Sequence, residues 1–155
     1  MPTETRIRNA DEKDIYIISE ILRPYAENKL LLSRSPEDIL SHLKNFCVAL
    51  IGDKIAGCCA LRNYGNNLFE VRSLAVSSKF SNMGIGTKLV TFCMEKAARN
   101  GKVKVFALTY RSDFFERLGF RKVQKSLFPE KIWSDCSVCS KKDNCDEDAL
   151  LIEIG

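Results

Sequence analysis

The stretch Glu70 to Lys96, EVRSLAVSSKFSNMGIGTKLVTFCMEK, carries the reading on which the rest of the chain depends. Val71, Leu74, Ala75 and Val76 form an apolar strand, Ser77 to Asn82 break it, and Gly84 and Gly86 leave the backbone bare where a helix begins. A helix start presents unpaired N–H groups and the positive end of a dipole. Glycines there let a phosphate approach the main chain, so the arrangement suits an anionic, phosphate-bearing ligand. Paired glycines also occur as plain turns, and two phosphate folds are excluded by detail. Gly86 is followed by Thr87 and Lys88 in the wrong order for a P-loop, and no G-x-G-x-x-G is present.

Downstream, the helix places Ile85, Leu89, Phe92, Cys93 and Ala97 on one face, and Asn100-Gly101 closes it. Val103 to Thr109 reads as a buried strand. Ser112 can cap a short helix through Leu118, and Gly119 ends it before a strand from Phe120 to Lys125; a last strand covers Ala149 to Ile154. Upstream, Arg6 to Arg8 is a short strand, and Asn9 or Asp11 caps a helix with Ile15, Ile18, Ile21 and Leu22 at helical spacing, ended or kinked at Pro24. Ser35-Pro36-Glu37-Asp38 is a strong helix start, with a cap residue, proline in the first turn and acids at the positive end. Phe46 to Ile51 and Ile55 to Leu61 form a hairpin about Gly52-Asp53-Lys54, and the turn-rich Asn63 to Asn67 leads into the strand at Leu68. The order is β, α, α, β, β, β, α, β, α, β, then the final strand.

With 155 residues and 45% hydrophobic content, one domain with a real core is expected over 1–155, and two are not. The net charge of +4 is mild and scattered, which argues against nucleic-acid binding. No 18-residue apolar run exists and the N-terminus MPTETRIRNADEKD is too polar for a signal peptide, so no membrane partner and a cytoplasmic location are expected. Thiols there stay mostly reduced, and Cys47, Cys58, Cys59 and Cys93 read as small core hydrophobes.

Ser81-Asn82-Met83-Gly84-Ile85-Gly86 resembles the acetyl-coenzyme A signature of the GNAT N-acetyltransferases, Gln/Arg-x-x-Gly-x-Gly/Ala, with Ser81 where that family has Gln or Arg. Phe114-Phe115-Glu116-Arg117-Leu118-Gly119-Phe120 resembles its second signature, an aromatic pair before Gly-Phe. The resemblance spans nearly the whole chain. It implies the acyl-CoA N-acyltransferase fold, α/β of the α+β type, with a mixed and mostly antiparallel sheet flanked by helices. It also implies acetyl-CoA as cosubstrate, held through Leu74, Ala75 and Val76 and through the loop Ser81, Asn82, Met83, Gly84, Ile85, Gly86 and Thr87.

Acetylating an amine needs a base to take the ammonium proton and stabilisation of the oxyanion and departing thiolate, but no covalent nucleophile. The lone histidine, His42, is taken to have no acid or thiol near it in sequence and reads as a surface or packing residue. Glu70 is the base candidate, because it opens the strand that in this family borders thioester and acceptor, and alternation would put Glu70, Arg72 and Leu74 on one face. The family's acid-donating tyrosine position is Phe115 here, so Tyr110 and Ser112 are the substitutes.

The segments Leu30 to Ser35, Glu70 to Val76, Leu108 to Ser112 and Leu127 to Lys131 resemble the acetyltransferase part of N-acetylglutamate synthases in their short, single-domain forms, which begin bacterial arginine biosynthesis. That implies glutamate as acceptor, and Arg34, Arg72 and Arg111 in the matching segments suit its carboxylates. Glutamine, a polyamine or a protein N-terminus as acceptor, and a non-catalytic acyl-CoA-binding module, are the alternatives; a homodimer is compatible. The segment 131–148 departs from the family through Cys136, Cys139 and Cys145. It reads as a metal-free pocket wall or redox pair, with structural zinc on those three thiols as the alternative.

Overall fold

The computed structural model describes residues 4–28, 30–31, 34–125 and 147–155. In chain order they form β1 (Thr5–Asn9), α1 (Ile15–Glu27), α2 (Pro36–Ser41), β2 (Phe46–Ile51), β3 (Lys54–Gly65), β4 (Leu68–Val76), α3 (Ile85–Ala97), β5 (Val103–Thr109), α4 (Ser112–Arg117), β6 (Arg121–Val123) and β7 (Asp148–Ile154). The strands make one sheet in the order β1-β2-β3-β4-β5-β7-β6. Every neighbouring pair is antiparallel except β4 and β5. The cysteine readings at 136, 139 and 145 lie outside the described residues.

Strand alternation divides the core into two layers. Cys47, Ala49, Cys59, Leu61, Val71, Val105, Ala107 and Leu150 point to the face covered by α3, which contributes Ile85, Leu89, Val90, Cys93 and Ala97. Phe46, Val48, Leu50, Cys58, Ala60 and Ala75 point to the opposite face, under Ile15, Ile18 and Leu22 of α1 and Ile39 of α2. At about 1.5–3 kcal/mol for each large apolar side chain removed from water, these two layers are the main force holding the helices to the sheet.

Asp11, rather than Asn9, opens the helical segment: its side chain accepts from Lys13 N–H, and its own N–H donates to Asp14 in a capping box. Asp14 is 2% exposed, and Arg8 donates two hydrogen bonds to it at 2.7 and 3.0 Å. Burial opposes ionisation of Asp14, but the bonds from Arg8 and the Asp11 N–H outweigh it and hold the carboxyl below its ordinary range. Pro24 does not end α1. It sits in the exposed part of the helix, and Asn28 closes the end by donating to its carbonyl.

Three further expectations change. Ser112 does not cap α4; Arg111 holds the cap position without a side-chain bond, and Ser112 is the first helical residue. The strand expected from Phe120 to Lys125 shortens to β6, because Phe120 turns into the core, edge-on to Phe115. Most consequentially, Leu74 does not share a face with Glu70 and Arg72. Ser73 adopts φ 53, and between Cys58↔Ala75 and Ala60↔Arg72 two residues of β4, Ser73 and Leu74, oppose one of β3, Cys59. This bulge inverts the alternation, so that Leu74 and Val76 join Phe69 and Val71 in the α3 layer, leaving Glu70 and Arg72 on the other side.

The β4–β5 ladder stops early. Its last pair is Glu70↔Phe106, although β4 runs on to Val76 and β5 to Thr109. Beyond that pair β5 is held by β7 on its other side, and the two strands part.

Candidate functional site

The parted strands open toward the start of α3. Gly84 stands at the helix N-cap with φ 72, a left-handed conformation that costs an L side chain, and Asn82 precedes it with φ 64. At Gly86 space is tight: a Cβ there would lie 3.3 Å from the Phe114 ring. Ser81, Asn82, Met83 and Thr87 are exposed around this turn, while the Ile85 side chain is buried in the core and leaves only its backbone N–H for a ligand. The N–H groups from Gly84 to Thr87 belong to the first helical turn, where no carbonyl four residues back can accept them. A phosphate-sized anion therefore fits this turn, on a cradle that a second side chain would fill.

The free edge of β4 continues from there. Ser77 N–H bonds to Ala56 C=O on β3 at 2.7 Å, so alternation turns the Val76 N–H and C=O the other way, toward the split, and turns Ala75 back to β3. Both Val76 groups are engaged by the Tyr25 hydroxyl of α1, which donates to Val76 O at 2.9 Å and accepts from Val76 N at 3.2 Å.

On the other face, Glu70 is 7% exposed. Tyr64 O–H donates to its Oε1 at 2.8 Å, and an Arg72 guanidinium nitrogen lies 3.4 Å from the same oxygen. Tyr64 packs against Phe106 with ring centroids 5.8 Å apart and carries Arg62 over its face at 4.6 Å. Burial first, and then the charge of Glu70, push the Tyr64 hydroxyl well above its ordinary range, so it stays protonated and serves Glu70 as donor. Glu70 is thus a buried, oriented carboxylate. Tyr64 escapes a reading of the sequence because it is the extra residue of a second bulge, where the register passes from Asn63↔Phe69 to Gly65↔Leu68. A hairpin register carried through Gly65 would have revealed it.

The three arginines have different neighbours. Arg72 lies beside Glu70. Arg34, whose side chain is 10% exposed, pairs with Asp38 of α2 at 2.9 Å. Arg111 is exposed and stacks over Phe114 at 5.5 Å, the ring that touches Gly86, so it stands near the α3 start. Tyr110 and Ser112 are half-buried at the end of β5 and the beginning of α4. Phe115 is 4% exposed and packed edge-on between Phe114 and Phe120, a core residue. His42 is half exposed, and its Nδ1 is 3.4 Å from Asp38, an acid four residues back that the sequence reading overlooked. Cys47, Cys58, Cys59 and Cys93 are buried free thiols, with Cys47 Sγ 3.8 Å from Cys93 Sγ. Among the described residues no group of three or more His, Cys, Asp or Glu is placed to hold a metal, and no helix is long and apolar enough to cross a membrane.

Comparison with known proteins agrees with this geometry. Residues 42–122 match the acetyltransferase (GNAT) domain family. The chain is 42% identical over 148 residues, 96% of each chain, to an uncharacterised N-acetyltransferase of Chlorobaculum tepidum. Amino-acid acetyltransferases of Neisseria meningitidis and Mycobacterium tuberculosis are 32% and 31% identical over 80% and 83% of this chain, but over 29% and 75% of their own lengths. The structure of N-acetylglutamate synthase from Neisseria gonorrhoeae complexed with coenzyme A and N-acetyl-glutamate superposes with a TM-score of 0.88 at 25% identity, covering 100% of this chain and 36% of that one.

Proposed function

The chain belongs to the GNAT acetyltransferases and is an acetyl-CoA-dependent N-acetyltransferase, and from that premise we propose that its acceptor is the α-amine of an amino acid, L-glutamate first. The observation that carries the reading is the buried Glu70 beside Arg72 where β4 leaves β5, on the sheet face opposite α3. A base and a cation lie side by side there. An α-amino acid presents an ammonium and a carboxylate two bonds apart, which is the complementary pair.

Acetyl-CoA supplies the activated acetyl group. In this reading the first-turn N–H groups from Gly84 to Thr87 hold its phosphates, and the freed main chain of Leu74 and Val76 holds its arm. Glu70, aimed by Tyr64 and Arg72, takes the ammonium proton directly or through one water. Arg72 binds a substrate carboxylate, and Arg34, anchored by Asp38, is the second carboxylate partner. Tyr110 or Ser112 returns a proton to the leaving sulfur. The whole of 1–155, the cysteine-bearing segment 131–148 included, acts as one domain.

The test is coenzyme A release from acetyl-CoA with each of the twenty amino acids and a set of polyamines. Turnover highest with glutamate is expected. Preference for a polyamine would remove Arg72 and Arg34 from the acceptor site, and acetyl-CoA binding without turnover on any acceptor would reduce the protein to a binding module.

A further inference from the structure

Tyr25 reaches the split from the third inward turn of α1, following Ile18 and Leu22 at helical spacing, and its hydroxyl meets Val76 with two hydrogen bonds of opposite sense. One O–H thereby gives the strand edge both a donor and an acceptor. A secondary amide laid along the same edge offers the same pair, an N–H to the Val76 carbonyl and a C=O to the Val76 N–H, as an added strand does. The arm of acetyl-CoA carries two such amides. The Val76 groups point into the split because Ser77 N–H is committed to Ala56 on β3 and because β5 has left β4 after Glu70↔Phe106.

We propose that Tyr25 is a built-in occupant of the arm's slot on β4, exchanged for the first amide of acetyl-CoA when it binds, so that this residue sets how tightly the arm is held. The proposal rests on the reading that the arm lies along Leu74 to Val76. The exchange breaks and remakes the same number of hydrogen bonds to Val76, so the arm gains less there than it would on a bare strand edge. Rotation of one side chain suffices, since the Tyr25 backbone is separately fixed by the Leu30 N–H at 2.8 Å. The nucleotide end of the ligand, bound at the α3 start, does not sense the exchange.

Titration calorimetry with acetyl-CoA and with adenosine 3′,5′-bisphosphate, which keeps the nucleotide and two of the three phosphates but has no arm, separates the two ends. Tyr25→Phe removes the competing hydroxyl and keeps the packing. Its Kd for acetyl-CoA is expected to fall about two- to ten-fold, because the two hydrogen bonds of the hydroxyl to Val76 no longer have to be given up, with the bisphosphate unchanged. Weaker or unaltered acetyl-CoA binding, or an equal change with both ligands, overturns the proposal. Gly84→Asp serves as the control for the underlying reading: if it weakens acetyl-CoA while Tyr25→Phe does not tighten it, the Tyr25 proposal alone fails, and if neither changes, both fail. A second measurement uses protein carrying 3-fluorotyrosine at position 25 alone. Its ¹⁹F resonance is expected to move with acetyl-CoA and to stay with the bisphosphate, and a resonance unmoved by acetyl-CoA overturns the proposal as well.

Discussion

The two sides of β4 are built from different materials. Toward α3, the cradle consists of backbone: a left-handed Gly84, a Gly86 where a Cβ would sit tightly against the Phe114 ring, and N–H groups that any helix start would leave free. Toward α1 and α2, the site consists of side chains, Glu70, Tyr64, Arg72 and Arg62, brought together by the register of β3 on β4 and the bulge at Tyr64. A backbone site tolerates variation in side chains as long as the chain can turn. A side-chain network depends on register, and a slip of one residue sends each member to the wrong face. Damage to the second side should therefore cost chemistry, and damage to the first should cost binding.

The largest effect is expected at Glu70. Glu70→Gln keeps the shape and an acceptor for Tyr64 but loses the proton acceptor, so kcat should fall about 10²- to 10⁴-fold with the acetyl-CoA Kd nearly intact. Raising the pH should recover part of the loss, because more of the acceptor amine is then already neutral. Steady-state kinetics at pH 7 showing wild-type kcat would erase the distinction between the two sides.

That contrast also decides what could be read before the structure. The cradle was legible because Gly84 and Gly86 stand where strand gives way to helix, and glycine needs no partner to declare a turn. The order of elements followed from periodicity. The Glu70 network was only half legible: Glu70 and Arg72 do share a face, but Leu74 crosses it through the bulge at Ser73, a residue type that carries no bulge signal. Tyr25 was missed for a similar reason. Its spacing from Ile18 and Leu22 marks it as inward, but nothing local indicates that it spans 51 residues to reach Val76.

On the backbone side, Gly84→Asp forces an L residue into φ 72 and sets a carboxylate beside the bound phosphates. The strain alone is about 1–2 kcal/mol and the repulsion adds to it, so an acetyl-CoA Kd raised about a hundred-fold is expected in calorimetry. Ser81→Ala, by contrast, should shift it little, since the cradle donates from the main chain.

A smaller effect tests the side-chain network without dismantling it. Arg72→Leu would strip a partner from buried Glu70 and confuse base with binder. Arg72→Lys keeps a cation near Glu70 but loses the planar fork that grips a carboxylate at two points. The KM for the amino-acid acceptor should rise about ten- to hundred-fold, corresponding to about 1.5–3 kcal/mol for a charged hydrogen bond, while kcat stays within a few-fold. A collapse of kcat at unchanged KM would mean that Arg72 serves Glu70 and not the substrate.

Arg111 is the residue on which the two sides can be told apart most finely. Resemblance assigns it to the acceptor, yet its guanidinium lies over Phe114, and Phe114 is the ring that closes on Gly86. An exposed cation near the α3 start acts on phosphates held there through a screened attraction. Arg111→Leu, which retains an apolar cover for Phe114, should raise the acetyl-CoA Kd by less than about ten-fold, with a smaller change at higher salt, and should leave the KM for the amino acid unaltered. Measuring both constants at low and high ionic strength decides the matter. A rise confined to the amino-acid KM would return Arg111 to the acceptor side and show that the division along β4 is crossed by at least one long side chain.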